Sequence, residues 1–394
     1  MTTPSNPDGP LRVAFVLRVL QGYRLPLFRR LQEARGLEVR VFHGPSFPGT
    51  KLVNGPNPGL VDAEELQSLK LRLSTQHGLA AAPFSPRLPA ALARFRPDAI
   101  ICEGASNLPN NLLAYAYAGW TDTPILQWGL GAIKGRPPSR ARRMLEPLIQ
   151  LMERRADACI AYSTRGARYY RDVGVAPDRI IVATNVVDTE ARKEAMFGID
   201  AAALYAEAHL DSDFVVLYVG GLARGKRVEM LVDAFREHVR RTDRPGARAR
   251  LWIVGDGPLR PELERRASGL GDQVRFFGRV SDGVSRHFVA ADVFVLPGLG
   301  GLAISDAMVH GLPVIATIGD GVEADLVTPD TGFLDDELDA SRIARYLDIL
   351  RADPELRKSL AEGARTKIDT GANIDNYVQR IDEAVRLSLR GRTG

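Results

Sequence analysis

Cysteine, lysine and aromatic residues are all scarce in this chain of 394 residues. Its two cysteines, Cys102 and Cys159, each sit inside an apolar run. That count excludes a disulfide scaffold and, without paired histidines, a metal site, so both read as reduced core thiols. The six histidines form no cluster along the sequence, and aromatics are only 7% of the chain. With its arginines dispersed, the protein lacks the basic, aromatic platform that single-stranded nucleic acid requires. No run approaches the roughly 20 apolar residues of a spanning helix. The first ten residues carry neither a basic nor an apolar signal segment, so a cytoplasmic location is expected.

What is present is an average globular composition, 45% apolar and 25% charged, long enough for two or three domains. Seven lysines stand against 45 arginines, yet 48 acids hold the net charge at +4, a composition bias rather than a polyanion footprint. One denser basic patch comprises Lys134, Arg136, Arg140, Arg142 and Arg143. Two readings stand for it: a solvated helix start, or contact with an anionic membrane surface. The arginine-rich segment Arg24–Arg35 allows the same peripheral contact on the inner face of the membrane.

Short β-branched runs alternate with longer helical patterns. Candidate strands are Arg12–Leu17, Glu38–Phe42, Ala99–Cys102, Ile125–Gln127, Ala158–Ala161 and Ile180–Ala183. A second series follows at Phe214–Val219, Ala249–Val254, Val274–Phe277, Val293–Leu296 and Pro313–Thr317. Between them lie amphipathic segments such as Val228–Arg240 and Ile304–His310. Alternation of this kind builds parallel sheets from right-handed βαβ units. The expected fold is therefore α/β, two doubly wound Rossmann-like domains facing across a cleft. Their expected limits are residues 1–190 and 191–372, with a C-terminal helix at 373–394 packing back on the first domain. The stretch Leu52–Leu88 is poorly periodic and reads as loop with at most a short strand or helix.

In such sheets ligands sit beyond the carboxyl ends of strands. Tyr218-Val-Gly-Gly-Leu-Ala-Arg-Gly-Lys226-Arg is a strand entering a glycine turn with Arg224, Lys226 and Arg227 at its end, suited to a phosphate or to a plain solvated turn. Val254-Gly-Asp-Gly-Pro258 is an ordinary turn by itself. Leu296-Pro-Gly-Leu-Gly-Gly-Leu302 leads from a strand through glycines into a helix, where the amides of Gly300, Gly301 and Leu302 can cradle a diphosphate. Asp306, one turn further, can accept from ribose hydroxyls, or it is a first-turn acid that favours the helix dipole.

Taken in order, Gly-Gly-Leu-x₃-Lys, Gly-Asp-Gly-Pro, Val274-x-Phe-x-Gly278 and Asp306-Ala-Met-x-x-Gly-x-Pro-Val-Ile resemble the family 4 glycosyltransferases. Ala158-Cys-Ile-Ala-Tyr-Ser163 and Thr184-Asn-Val-Val-Asp-Thr189 are similar to segments of the same family. The resemblance implies a GT-B fold and a retaining, metal-independent transfer of a hexose from a UDP- or GDP-sugar to an acceptor hydroxyl on a glycan, lipid-linked glycan or small molecule. No further cofactor and no nucleic-acid partner is implied. Lys226 and Arg224, with the loop amides, would then neutralise the leaving diphosphate. Glu103, at the end of another strand, would polarise the acceptor or cap a helix. Gly22, Gly221, Arg227, Val280, Gly300, Gly301, Leu302 and Asp306 would surround the donor. Trp128 stacks on a sugar or belongs to the core, and His43 stands at a strand end. Two departures matter: Gly221 replaces the family's arginine, and the paired glutamates fall on Gly298 and Asp306. The alternative reading is a catalytically silent nucleotide-sugar-binding protein on the same fold.

Overall fold

A computed structural model describes residues 9–34, 36–47, 50, 52–75, 78–131, 140–200, 203, 214–242, 248–280 and 282–390, with side chains at 71–81, 140 and 141 left aside. Lys134 and Arg136 of the basic patch, His77 and His209 lie outside the described residues, as does the side chain of Arg140. The chain divides into two units, one of residues 1–184 with 375–394 and one of residues 185–374.

The N-terminal unit is built on a seven-stranded parallel sheet ordered β3-β2-β1-β6-β7-β8-β9. Its strands are β1 (Leu11–Leu17), β2 (Leu37–His43), β3 (Ala63–Glu65), β6 (Ala99–Glu103), β7 (Ile125–Gly129), β8 (Ala158–Ala161) and β9 (Ile180–Val182). The antiparallel ribbon β4 (Leu69–Thr75) and β5 (Gly78–Phe84) pairs separately. β3, β4 and β5 all fall in the stretch that lacks periodicity: β3 is only three residues long at a sheet edge, and the ribbon runs outside the main sheet, so neither needs the continuous apolar run of a parallel core strand. Helices α1 (Leu25–Glu33), α2 (Leu88–Phe95), α3 (Leu108–Thr121), α4 (Arg140–Arg155) and α5 (Thr164–Asp172) connect the strands, and α14 (Ile374–Arg390) returns to this unit. β1 and β6 bury almost every residue, as strands covered on both faces must. Cys102 and Cys159 are free and wholly buried, and burial pushes both thiols up, so neither is a reactive thiolate.

The C-terminal unit holds a six-stranded parallel sheet ordered β12-β11-β10-β13-β14-β15. Its strands are β10 (Phe214–Val219), β11 (Ala249–Val254), β12 (Val274–Gly278), β13 (Val293–Leu296), β14 (Val314–Ala316) and β15 (Gly332–Leu334). Among the described helices are α6 (Thr189–Phe197), α7 (Val228–Thr242), α8 (Arg260–Ala267), α9 (Ser285–Val289), α10 (Leu302–Val309), α11 (Val322–Leu326), α12 (Ala340–Ala352) and α13 (Pro354–Thr370). In each sheet the strand order reverses once, between β1 and β6 and between β10 and β13. At such a switch point neighbouring loops diverge and leave a crevice beyond the carboxyl ends of the strands.

Candidate functional site

At the switch point of the C-terminal unit, two glycine segments meet backbone to backbone. The turn after β10 holds Arg224, Gly225 and Lys226 in a short 3-10 helix, and the loop after β13 lies on it: the Leu299 amide donates to the Gly225 carbonyl at 3.0 Å. The Lys226 ammonium donates to the Leu299 carbonyl. The structure therefore brings Lys226, Gly300, Gly301 and Leu302 together, as expected, with the N-terminus of α10 beginning at Leu302. Gly300 has φ 140°, open to glycine, and a Cβ there would strike the Lys226 ammonium. Gly-Asp-Gly-Pro serves the same turn from behind. Leu222 donates its amide to the Asp256 carbonyl at 3.0 Å, and Gly255 and Gly257 allow that close approach.

The two departures from the family pattern differ physically. At Gly221 the nearest neighbour of an added Cβ is the Asp256 carbonyl oxygen at 3.9 Å, so the missing arginine is not a matter of space. At Gly298 a Cβ would stand 2.5 Å from the Gly225 carbonyl oxygen and 2.6 Å from the Lys226 carbonyl carbon. No side chain fits there while the loop rests on the turn.

Asp306 is buried in α10, where its Oδ1 meets the Arg192 guanidinium of α6 at 2.9 Å. Burial raises this carboxyl to about 6, against the opposing pull of Arg192. Arg192 was not expected here, because nothing in Thr189-Glu-Ala-Arg192 marks it as a partner to a residue more than a hundred positions away. His310, one turn on, donates from Nδ1 to the Asp306 carbonyl at 2.7 Å and stacks on Phe288, and burial lowers it to about 4. It is neutral at neutral pH, so Nδ1–H is the donor to that carbonyl.

The other expected residues of this unit lie as follows. Arg227 is exposed, adopts φ 53° and donates through Nη2 to the Leu338 carbonyl at 3.1 Å, on the loop before α12. Arg224 is exposed on the same turn as Lys226. Val280 is half-buried past the end of β12, at the sheet edge two strands away from β10.

In the N-terminal unit the corresponding switch point gathers side chains. Glu103, ending β6, accepts from the Arg18 amide at 2.7 Å and pairs with the Arg24 guanidinium at 2.9 Å. Arg24 also donates to the Tyr162 hydroxyl at 3.1 Å and lies 4.8 Å from the Trp128 ring centroid. Glu103, expected to polarise the acceptor or to cap a helix, is buried with both of its oxygens engaged by the chain itself. Trp128 is core, edge-on to Phe15 and Tyr162. His43 is buried, bonded at Nδ1 to the Gly44 carbonyl at 2.9 Å, and burial lowers it. Gly22 is exposed in the 3-10 turn after β1, and Gly55 passes so close that a Cβ at position 55 would stand 2.4 Å from the Gly22 Cα. Sequence reasoning missed Arg24 as the centre of this network, although its place just after the first strand is a signal.

Comparison with known proteins bears on this geometry directly. Residues 27–191 match the Glycosyltransferase Family 4 model and residues 213–353 the model for Glycosyl transferases group 1. The chain belongs to the family 4 glycosyltransferases. Among similar family members, an alpha-D-kanosaminyltransferase of Streptomyces kanamyceticus is 33% identical over 183 residues, 45% of this chain and 44% of that protein. A sulfoquinovosyl transferase of Arabidopsis thaliana is 25% identical over 301 residues, 72% of this chain and 56% of that protein. The chain thus spans roughly half the length of the curated relatives it matches. Anabaena HepE, solved in complex with UDP, superposes with a TM-score of 0.74 at 17% identity, covering 95% of this chain and 100% of that one. This likeness shows that the family 4 chain has the GT-B fold.

Proposed function

We propose that the protein transfers a hexose from a nucleoside diphosphate sugar to an acceptor hydroxyl, with retention of anomeric configuration. The observation that carries this reading is the switch point of the C-terminal unit, where Lys226 and the glycine loop before α10 lie against one another. A leaving diphosphate needs fixed positive charge and amide donors aimed where its charge develops, and such groups act chiefly by positioning and electrostatics. The relatives support the class: their names describe kanosaminyl-, sulfoquinovosyl- and GDP-mannose-dependent mannosyltransferases.

Retention follows from attack on the face the leaving group departs from. The acceptor hydroxyl gives its proton to the departing diphosphate. The acceptor oxygen bonds to the anomeric carbon on the face from which the phosphate oxygen leaves, and that oxygen takes the proton. The ammonium and amides neutralise the leaving group in place of a metal.

Thermal stabilisation by UDP, GDP, UDP-glucose and GDP-mannose, each with magnesium and with chelator, tests the donor site. A selective, chelator-insensitive shift for one base is expected, and the product's anomeric configuration by NMR tests retention. No shift with any of them sinks the reading. Donor binding without transfer or slow donor hydrolysis would leave a silent binding protein.

The acceptor side fits a peripheral membrane habit on the cytoplasmic leaflet. No helix among the described residues is long and apolar enough to cross a membrane. One side of α4 nevertheless exposes Met144 (83% accessible), Leu145, Leu148 and Leu151, with Arg143, Arg154 and Arg155 around them. An apolar stripe bordered by arginines matches an anionic bilayer surface. Salt-sensitive sedimentation with phosphatidylglycerol vesicles, absent with phosphatidylcholine and weakened by Met144→Glu with Leu148→Glu, is the expected outcome.

A further inference from the structure

We infer that Asp320 is the residue that recognises the donor sugar, receiving its hydroxyls beside Lys226; the inference rests on the donor-site reading above. Asp320 belongs to the turn Gly319–Gly321, between β14 and α11, at the carboxyl end of the strand that neighbours β13. A Cβ at Gly319 would stand 2.8 Å from Leu299 Cδ2, so this turn rests directly on the glycine loop that Lys226 grips. The turn is fixed from within: the Gly321 amide donates to Glu323 Oε2 at 2.9 Å, and Glu323 is fully buried. Asp320 Oδ1 accepts from the Val322 amide at 3.2 Å, which sets the plane of the carboxyl, and the residue itself is only half-buried. Glu323 is thus the wholly buried brace, and Asp320, half-buried beside it, also shares a side-chain hydrogen bond with it.

The charge environment agrees. Burial and then Glu323 raise the Asp320 carboxyl to about 7, while Lys226 draws it back. The two side chains therefore feel each other across the loop. In a nucleoside diphosphate sugar the sugar is joined to the β-phosphate, so its ring lies within a few bonds of whatever holds that phosphate. If Lys226 holds it, the next polar side chain around the crevice meets the sugar hydroxyls. Position 298 cannot supply that side chain, because its Cβ would collide with the Gly225–Lys226 backbone. A carboxyl from the adjacent strand end can, and it accepts hydrogen bonds from hydroxyls when ionised and donates one when neutral.

The test is calorimetric titration of the full chain with UDP, GDP, UDP-glucose and GDP-mannose, comparing wild type with Asp320→Asn and Asp320→Ala. The variants are expected to bind the free nucleoside diphosphate as wild type does. Their affinity for the sugar conjugate preferred by wild type should fall roughly 10- to 100-fold, as for a lost hydrogen bond to a charged group. Unchanged affinity for the conjugate in Asp320→Asn, which keeps the shape of the side chain, overturns the inference and leaves the donor site standing. An equal loss for diphosphate and conjugate also overturns it, since Asp320 would then serve the phosphate or the turn. Failure of wild type to bind any of the four removes the donor site and this inference with it. Melting curves of both variants identify a folding defect, and the asparagine variant decides if the alanine variant does not fold.

Discussion

In the N-terminal unit the switch point between β1 and β6 is filled by side chains, whereas in the C-terminal unit the switch between β10 and β13 is made of backbone. Glu103, Arg24, Tyr162 and Trp128 satisfy one another, charge against charge and ring against guanidinium. Around Lys226 the glycines let main chain pack on main chain, and the ammonium donates to the Leu299 carbonyl. A closed side-chain network stiffens a scaffold and offers little to a ligand. A backbone cradle keeps its donors in place at no rotamer cost and can admit an anion. On the proposed reading, the same fold element does structural service in one unit and chemistry in the other.

The largest effect should come from breaking the closed network. Glu103→Ala leaves the Arg24 guanidinium buried without its carboxylate, which costs on the order of 3–5 kcal/mol in urea unfolding. If Glu103→Gln instead keeps full stability but abolishes transfer, the glutamate belongs to the chemistry and the contrast between the units fails. Next, Lys226→Ala should lower kcat about 10²- to 10³-fold, in the range for loss of one preorganised donor to a developing charge. Its unfolding free energy should change by less than about 1 kcal/mol. An unchanged rate would remove Lys226 from the mechanism.

A pH experiment sharpens the comparison from the C-terminal side, where buried side chains stand behind the cradle rather than in it. His310 is depressed to about 4 from an ordinary 6.5, so the unfolded chain binds its proton more readily than the folded one. Stability from this group is complete above about pH 6.5 and is lost as the pH falls towards about 4, on the order of 3 kcal/mol. His310→Gln should flatten that part of the stability profile measured by urea melts from pH 4.5 to 7. A profile as steep as wild type would place the titration elsewhere. The smallest effects separate the two glycine departures. Gly298→Ala should cost about 1–3 kcal/mol through overpacking, while Gly221→Arg should stay within about 0.5 kcal/mol of wild type. Equal costs at both positions would mean the loop does not rest on the turn in solution.

Much of this was legible in the chain alone. The strands of both parallel sheets, except the short edge strands β3 and β15, follow from β-branched runs, because a strand buried on both faces cannot be polar. Lys226 and the loop at 300–302 were found because a glycine turn after a strand is a local signal. The ribbon at 69–84 was not, since a pair of strands outside the main sheet needs no continuous apolar pattern. The partners of Asp306 and Glu103 were also invisible: Arg192 and Arg24 lie 114 and 79 positions away in sequence, and no short-range pattern links them.

By itself, then, the sequence determined the α/β class, the family and the place of the glycine turns after β10 and β13, since periodicity and glycine spacing act within a few residues of one another. Only the tertiary structure decided which carboxylates are held by arginines, that position 298 has no room for a side chain, and that Asp320 reaches the neighbourhood of Lys226. Each of those depends on which strand ends lie side by side, and strand order is a property of the packed sheet.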